Sequence, residues 1–152
     1  MFVCHGNICR SPMAEFIFKK MIKERGLEDE FFVCSSATST EEIWNGRGNP
    51  VYPPAREELA FHGISCDGKR AVQLTRADYD KYDVFVGMDS ANIRNMHYIL
   101  GGDAEKKISK LMDYTSRPGD VADPWYSDRF DIAYRDIYDG CAALLDFILE
   151  GK

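Results

Sequence analysis

Hydrophobic residues fall into two alternating patterns along this chain. Short apolar runs that end at polar residues predict buried strands, at residues 1–3, 31–36, 84–88 and 108–112. Longer stretches with an apolar residue every three or four positions predict amphipathic helices, at residues 12–25, 54–61, 90–100 and 128–150. Strands that alternate with helices imply a parallel sheet with helices on both faces, which is a three-layer α/β fold.

The segments between these elements differ in length and composition. Ser11 is a good N-cap for the first helix. Residues 64–66 suit a short extended piece. Residues 38–53 and residues 113–127 predict long irregular loops, and Trp44 stands in the middle of the first. Loops of that length are usually functional.

Length, charge and cysteine content narrow the class of protein. The 152 residues suit one domain over residues 1–152 with a full core. A net charge of −6 argues against nucleic acid or an anionic membrane as a partner, because both attract basic surfaces. The five cysteines are odd in number and lack the spacing of a zinc site or disulfide framework. We therefore expect no metal, reduced thiols, no membrane segment and a cytoplasmic location.

The chemistry is concentrated in one decapeptide, Phe2-Val-Cys-His-Gly-Asn-Ile-Cys-Arg-Ser11, between the first strand and the first helix. A loop from Cys4 to Arg10 can point successive backbone N–H groups inward, as a nest for an anion. The helix N-terminus adds unpaired donors, and together these features favour the Cys4 thiolate. Arg10 can hold two phosphoryl oxygens at once, and the hydroxyl of Ser11 can also donate to the sulfur. The alternative is that Cys4 is a small core residue.

A second motif lies in the loop before the last helix. In Asp123-Pro124-Trp125-Tyr126, the proline holds the preceding carboxylate in extended backbone, and two aromatic side chains stand beside it. Such side chains can form walls for a flat substrate. Taken alone, the sequence also fits an ordinary turn with surface aromatics. At the carboxyl ends of parallel strands, however, Cys4 and this loop would meet where ligands of such sheets bind.

Three segments together resemble the low-molecular-weight protein tyrosine phosphatase family: residues 3–12, Asp123–Tyr126 and Met88-Asp89-Ser90-Ala91-Asn92. The resemblance covers nearly the whole chain. It implies a flavodoxin-like fold with a four-stranded parallel sheet, no cofactor, and a monomer or weak dimer. It also implies hydrolysis of phosphotyrosine in proteins through a cysteinyl-phosphate intermediate, with inorganic phosphate as a product.

The same resemblance assigns roles to individual residues. Cys4 is the nucleophile, Arg10 the phosphate clamp, and Asp123 the general acid and then the base. The phosphate-binding loop consists of His5, Gly6, Asn7, Ile8, Cys9, Arg10 and Ser11. The supporting network that holds this loop consists of Asn7, Ser11, Ser35 and His62. From its position in the sequence, Asp89 is expected to cap the helix predicted at residues 90–100.

Three of these roles have alternatives. His62 also fits a cation at a helix C-terminus, and Ser35 a plain strand-end hydroxyl. Cys9 is expected to form a reversible, protective disulfide with Cys4, or else to be a buried thiol without a role.

The sequence also departs from the family. The family has an aromatic residue beside the substrate after the second strand, where this chain has Glu41. We expect Trp44, in an apparent insertion, to join Trp125 and Tyr126 as an aromatic wall.

Three functions other than tyrosine phosphatase fit parts of this sequence pattern. An arsenate reductase needs two further closely spaced cysteines, which this chain lacks. A protein-arginine phosphatase tends to carry threonine where this chain has Ile8. A phosphopeptide-binding module has no use for Cys4 together with Asp123.

Overall fold

The central sheet of the computed structural model, which describes residues 1–151, has four parallel strands. These strands are β1 (Phe2–Cys4), β2 (Ser35–Ala37), β5 (Phe85–Gly87) and β6 (Ile108–Lys110), in the order β2-β1-β5-β6. In the register, Phe2 pairs with Ser35 on one side and with Val86 on the other. The predicted four-stranded parallel sheet is confirmed.

Helices cover both faces of this sheet. They are α1 (Arg10–Glu24), α2 (Pro53–Phe61), α3 (Ser90–Leu100), α4 (Pro124–Ser127) and α5 (Phe130–Glu150). Single 3₁₀ turns lie at Glu28–Glu30, Arg76–Asp80 and Leu111–Tyr114. Side chains of β1 alternate between two cores: Phe2 and Cys4 join the cluster that contains α1 and α5, and Val3 joins the cluster with Phe85 and Met96. This alternation places β1 at the centre of the three layers.

The observed elements differ from the predicted ones mainly at their ends. Strand β1 has the predicted three residues, one position later, whereas β2, β5 and β6 are shorter than predicted. Strand β2 begins at Ser35, and Phe32, inside the predicted strand, is exposed. Residues 64–66 form no strand. Helix α1 begins at Arg10, two residues earlier than predicted. Ser11 is therefore inside the helix and is not its N-cap; Cys9 is at the cap without a side-chain hydrogen bond.

Both predicted irregular loops contain regular structure. Within residues 38–53, β3 (Ile43–Trp44) and β4 (Arg47–Gly48) form an antiparallel hairpin. Its turn places Asn45 at φ 49° and Gly46 at φ 76°, the left-handed geometry that an Asn-Gly hairpin turn requires. In the second loop, Pro124 opens the short helix α4.

The carboxyl end of β1 leads directly into the loop before α1, and the backbone carbonyl of Cys4 accepts a hydrogen bond from the Thr38 N–H (3.0 Å). The loop after β2 therefore lies beside the loop after β1, as expected for the ligand-binding edge of a parallel sheet. Within residues 1–151, every helix is too short or too polar to cross a membrane.

Candidate active site

The sulfur of Cys4 is surrounded by hydrogen-bond donors. The backbone N–H groups of Asn7 and Ser11 donate to it at 3.3 and 3.4 Å, and the Ser11 hydroxyl oxygen lies 3.0 Å away. The residue is 3% exposed. Three hydrogen-bond donors thus converge on one buried sulfur atom.

Asn7 holds the loop in shape. Its φ of 58° lies in the left-handed region, which costs energy for a residue with a side chain. Its Nδ2 donates to the Ser11 hydroxyl (2.8 Å) and to the Ser35 hydroxyl (2.9 Å), and its Oδ1 accepts from the backbone N–H of Val72 (2.9 Å). The bond to Ser11 connects the loop to the start of α1, and the other two join it to β2 and to the segment around Val72. The predicted association of Asn7, Ser11 and Ser35 is present.

The network continues to three residues that the sequence did not indicate. The Ser35 hydroxyl donates to Oε1 of the buried Glu15 at 2.6 Å. Lys19 donates to the other carboxylate oxygen at 2.6 Å. Lys69 donates to the Ser35 carbonyl at 3.0 Å, and its Nζ lies 3.6 Å from Glu15. Burial lowers the pKa of Lys69, although the neighbouring carboxylate opposes this effect.

His62 does not join this network, which corrects the prediction. Its Nε2 pairs with Glu58 at 2.9 Å, and its ring stacks on Tyr134 with 3.7 Å between ring centroids. It stands at the C-terminal end of α2, the location that the alternative interpretation gave it. The cations that contact the network are Lys19 and Lys69.

Arg10 is fixed by three oxygen atoms. Its Nη1 donates to Asp89 Oδ2 (2.7 Å) and to the backbone carbonyl of Val121 (2.9 Å), and its Nη2 lies 3.5 Å from Asp123 Oδ2. The side chain is 3% exposed. Burial alone would lower the pKa of Arg10, but the anionic groups of Cys4, Asp89 and Asp123 outweigh it and raise that pKa. Arg10 is therefore a permanent, oriented cation beside the thiol.

Asp89 has a second function besides the predicted helix cap. Its Oδ1 accepts from the backbone N–H of Asn92 (2.8 Å) at the start of α3, while Oδ2 binds Arg10. Burial would raise the pKa of Asp89, but the hydrogen bonds from Arg10 and from the backbone of α3 lower it. The carboxylate thus stays ionised and orients the guanidinium.

The two carboxylate oxygens of Asp123 have different partners: one caps α4, and the other faces Arg10. Oδ1 accepts from the backbone N–H of Trp125 at 3.0 Å and so caps α4. Oδ2 faces Arg10, and the side chain remains partly exposed. The short helix α4 therefore places one carboxylate oxygen at the same cavity as the sulfur of Cys4.

A cavity of about 370 Å³ brings the predicted groups together. Its lining consists of Cys4, His5, Gly6, Ile8, Cys9, Arg10, Glu41, Glu42, Asp123, Trp125 and Tyr126. Trp125 packs on Tyr52 with 4.8 Å between ring centroids. Trp44 is absent from this lining and is 78% exposed on the hairpin, so the expected three-residue wall is reduced to Trp125 and Tyr126. Glu41 and Glu42 also line this cavity.

Known proteins resemble this chain along its whole length. The model of the family described as low molecular weight phosphotyrosine protein phosphatase matches residues 1–151. The low molecular weight protein-tyrosine-phosphatase YfkJ of Bacillus subtilis (strain 168) is 38% identical over 154 residues, which cover 100% of this chain and 96% of YfkJ. The low molecular weight protein-tyrosine-phosphatase PtpA of Staphylococcus aureus (strain Newman) is 35% identical over 150 residues, which cover 98% of this chain and 92% of PtpA.

Solved structures agree with this likeness. The crystal structure of YfkJ from Bacillus subtilis superposes with a TM-score of 0.93 at 37% identity, covering 99% of this chain and 94% of that one. A product state mimic of a protein tyrosine phosphatase from Entamoeba histolytica superposes with a TM-score of 0.88 at 27% identity. That match covers 99% of this chain and 95% of the other.

Proposed function

The chain belongs to the low-molecular-weight protein-tyrosine-phosphatase family, and we propose that it hydrolyses phosphotyrosine in proteins through a phosphate ester of Cys4. The observation that carries this proposal is the convergence of three donors on the Cys4 sulfur, in the cavity that Arg10 and Asp123 also line. A nucleophile, an oxyanion clamp and a proton donor are what a two-step phosphoryl transfer requires.

In the first step, the Cys4 thiolate attacks phosphorus and the bond from phosphorus to the tyrosyl oxygen breaks. Arg10 and the loop N–H groups bind the equatorial oxygens, where negative charge spreads in the transition state. Asp123, in its acid form, gives its proton to the departing phenolate. The products of this step are the dephosphorylated protein and a thiophosphate ester on Cys4.

In the second step, water attacks the phosphorus of the Cys4 ester and the sulfur leaves as a thiolate. Asp123, now a carboxylate, takes a proton from that water. The Ser11 hydroxyl, 3.0 Å from the sulfur, donates a hydrogen bond to the leaving thiolate. Inorganic phosphate is released, and the residues return to their starting protonation states.

The cavity walls favour an aryl phosphate. Trp125 stands on one side, supported by Tyr52, and the buried Ile8 contributes an apolar surface within the loop. Aromatic and apolar surfaces bind a phenyl ring better than a charged guanidinium group. We therefore propose phosphotyrosine, rather than phosphoarginine, as the substrate.

We also propose that Cys9 protects the nucleophile against oxidation. Burial, the negative charge of Cys4 and that of Asp123 raise the pKa of Cys9, so Cys9 remains a neutral thiol beside the anionic sulfur. When peroxide converts Cys4 to a sulfenic acid, the Cys9 sulfur can displace water and form a disulfide. A thiol reductant then restores both cysteines.

Two further properties follow from the groups present. Arg10 and the loop amides supply the positive charge around the phosphoryl group, so we propose turnover without a metal ion. Cys4, Cys9, Cys34, Cys66 and Cys141 are all free thiols. Free thiols are stable in a reducing compartment, and we propose the cytoplasm as the location.

Release of p-nitrophenol from p-nitrophenyl phosphate with EDTA present tests the proposal. We expect activity in the native protein, none in Cys4→Ser and a strongly reduced rate in Asp123→Ala. Cys34→Ser, which changes a partly exposed cysteine outside the loop, is the matched control and should remain active.

Three outcomes would contradict the proposal. Activity that survives in Cys4→Ser would remove Cys4 as the nucleophile. Faster hydrolysis of a phosphoarginine peptide than of a phosphotyrosine peptide would favour an arginine phosphatase. Arsenate-dependent oxidation of thioredoxin, without phosphatase activity, would favour an arsenate reductase.

A further inference from the structure

Two glutamates lie directly against the phosphate-binding loop. Glu41 Oε2 is 3.0 Å from Nε2 of His5, the first residue after the nucleophile. A Cβ atom built on Gly6 would lie 3.3 Å from Cγ of Glu42, so the Glu42 side chain covers the next loop residue. Both glutamates line the same cavity as Cys4. We call Glu41 and Glu42 the acidic lip.

The acidic lip is held in place by the hairpin that follows it. Asn49 donates its backbone N–H to the Glu42 carbonyl (2.8 Å) and its Nδ2 to the Glu42 carboxylate (2.7 Å), closing the base of the β3–β4 hairpin. The backbone N–H of Glu41 donates to the Ser39 hydroxyl at 3.0 Å. The Glu42 carboxylate is held by the Asn49 side chain, so it needs little reordering when a ligand binds.

The negative charge of the acidic lip disfavours the binding of an anion that brings no cation with it. A phosphate monoester brings two negative charges to a cavity that Glu41, Glu42 and Asp123 already line. Arg10 is the fully buried cation there, and it is already paired with Asp89 and Asp123. The Glu41 side chain is 70% exposed, and His5 lies against it. Two carboxylates at the mouth repel a bare phosphate and attract a cation that arrives with it.

We propose that the acidic lip selects phosphotyrosine with a lysine or arginine next to it in the substrate protein. This inference rests on the proposed function, because the phosphorylated ring must occupy the Cys4 cavity. A side chain from the residue beside phosphotyrosine would lie at the entrance of that cavity, which Glu41 and Glu42 line. There its positive charge meets Glu41 and Glu42, while the phosphoryl group meets Arg10.

Three phosphotyrosine peptides of equal length test the inference, with lysine, alanine or glutamate on both sides of the phosphotyrosine. We expect kcat/KM for the lysine peptide to exceed that for the glutamate peptide by about tenfold, because two exposed ion pairs each contribute modestly. The ratio should shrink at high salt. In Glu41→Gln/Glu42→Gln it should approach one, since glutamine keeps the size and the hydrogen bond from Asn49.

The matched control is Glu28→Gln, which removes one exposed glutamate from the 3₁₀ turn after α1 and should preserve the ratio. Equal kcat/KM for the three peptides in the native protein would overturn the inference, and so would a preference that persists in the double variant. The alanine peptide separates the two proposals. Its hydrolysis without any charge preference removes only the role of the lip, whereas failure to hydrolyse any of the peptides removes the proposed function.

Discussion

The hydroxyl of Ser35 donates a 2.6 Å hydrogen bond to the buried carboxylate of Glu15. Because its proton is directed to Glu15, Ser35 accepts from Asn7, whose amide nitrogen donates to both Ser35 and Ser11. Ser11 then keeps its own proton for the sulfur of Cys4. The Glu15 carboxylate thus fixes the Ser35 proton, while the Val72 N–H, which donates to Asn7 Oδ1, fixes the Asn7 amide nitrogen toward Ser35 and Ser11.

Glu15→Gln should weaken this directionality. A glutamine amide can donate to Ser35 instead of accepting from it, which frees the Ser35 proton and weakens the support that Ser35 gives to Asn7. We expect kcat for p-nitrophenyl phosphate to fall about tenfold, comparable to the loss of one hydrogen bond to a charged group. Alkylation of Cys4 by iodoacetamide at neutral pH should slow as well, a readout that altered packing alone would not change.

The control for this prediction is Glu24→Gln, an exposed glutamate on the same helix. It should leave both rates unchanged. Native rates of turnover and alkylation in Glu15→Gln would show that the carboxylate does not act through the chain of hydrogen bonds.

The parts of the site that lie close together in sequence could be predicted, and those that depend on distant packing could not. The loop from Cys4 to Arg10 is contiguous, so its residue types carry its shape and chemistry. Glu15 is one polar position on an amphipathic helix, and nothing local shows that it faces β2. Lys69 reaches Ser35 only because the segment after α2 passes beside β2. The resemblance predicts His62 in the network, but it does not show the path that the chain takes after α2.

The same reasoning applies to the fold. Strands and helices are each recognised by the spacing of their apolar residues, and the two types alternate along this chain. The four-stranded parallel sheet was therefore predictable. The hairpin was missed because each of its strands has only two residues, too few for a period to appear, although Asn45-Gly46 is a strong turn signal. The start of α1 at Arg10 was not predicted, because helix propensities do not describe hydrogen bonds from the N–H groups of the loop to Cys4.

Asp89→Asn separates the ion pair with Arg10 from the helix cap, because asparagine is an equally good N-cap. The folded state lowers the pKa of Asp89, so its stabilisation is fully present above the ordinary aspartate value and is lost as the pH falls through the lowered one. We expect the free energy of unfolding at pH 7 to fall by about 1–3 kcal/mol, since a mostly buried charged partner of Arg10 is removed. Urea denaturation measures this difference.

The difference between the native protein and Asp89→Asn should shrink when denaturation is repeated below about pH 4, where aspartates begin to take up protons. Asp120→Asn, at the exposed ion pair with Lys110, is the control and should show little change at either pH. A loss of stability in Asp89→Asn that does not depend on pH would mean that the cap, not the charge, is responsible.

Asp123→Asn should remove the proton donor while keeping the hydrogen bond from the Trp125 N–H that caps α4. We expect the native protein to have an acidic pH optimum with aryl phosphates, because Asp123 must carry a proton while Cys4 does not. The variant should lose about a hundredfold or more in rate with phenyl phosphate, a poor leaving group, and less with p-nitrophenyl phosphate. Its rate should no longer decline on the alkaline side.

The measurement is kcat as a function of pH for both substrates, with Asp131→Asn, at an exposed carboxylate in α5, as the control. A native rate that climbs steadily to pH 9 would exclude Asp123 as the acid. Equal losses for the two substrates would also argue against proton donation to the leaving group.

Cys9→Ser should make oxidative inactivation irreversible. We expect native protein treated with peroxide to recover its activity in dithiothreitol, and its mass before reduction to show the loss of two hydrogens. The variant should instead gain oxygen on Cys4 and recover little activity. Cys66→Ser, which changes a buried cysteine outside the loop, should behave like the native protein. Full recovery in Cys9→Ser would leave Cys9 as a buried thiol without a protective role.

Gly48→Ala should disturb the hairpin that carries the acidic lip. A Cβ atom at this position would overlap the backbone carbonyl of Ala71, which cannot move as a flexible side chain does. We expect the free energy of unfolding to fall by about 1–3 kcal/mol, the usual cost of overpacking. Gly46→Asn is the control, because asparagine tolerates the left-handed backbone and nothing lies within 4 Å of its Cβ.

If Gly48→Ala is folded, its preference for the lysine peptide should also weaken, since Glu42 is hydrogen-bonded to Asn49, the residue that follows Gly48. Native stability and native preference in that variant would show that the close approach to Ala71 does not position the lip.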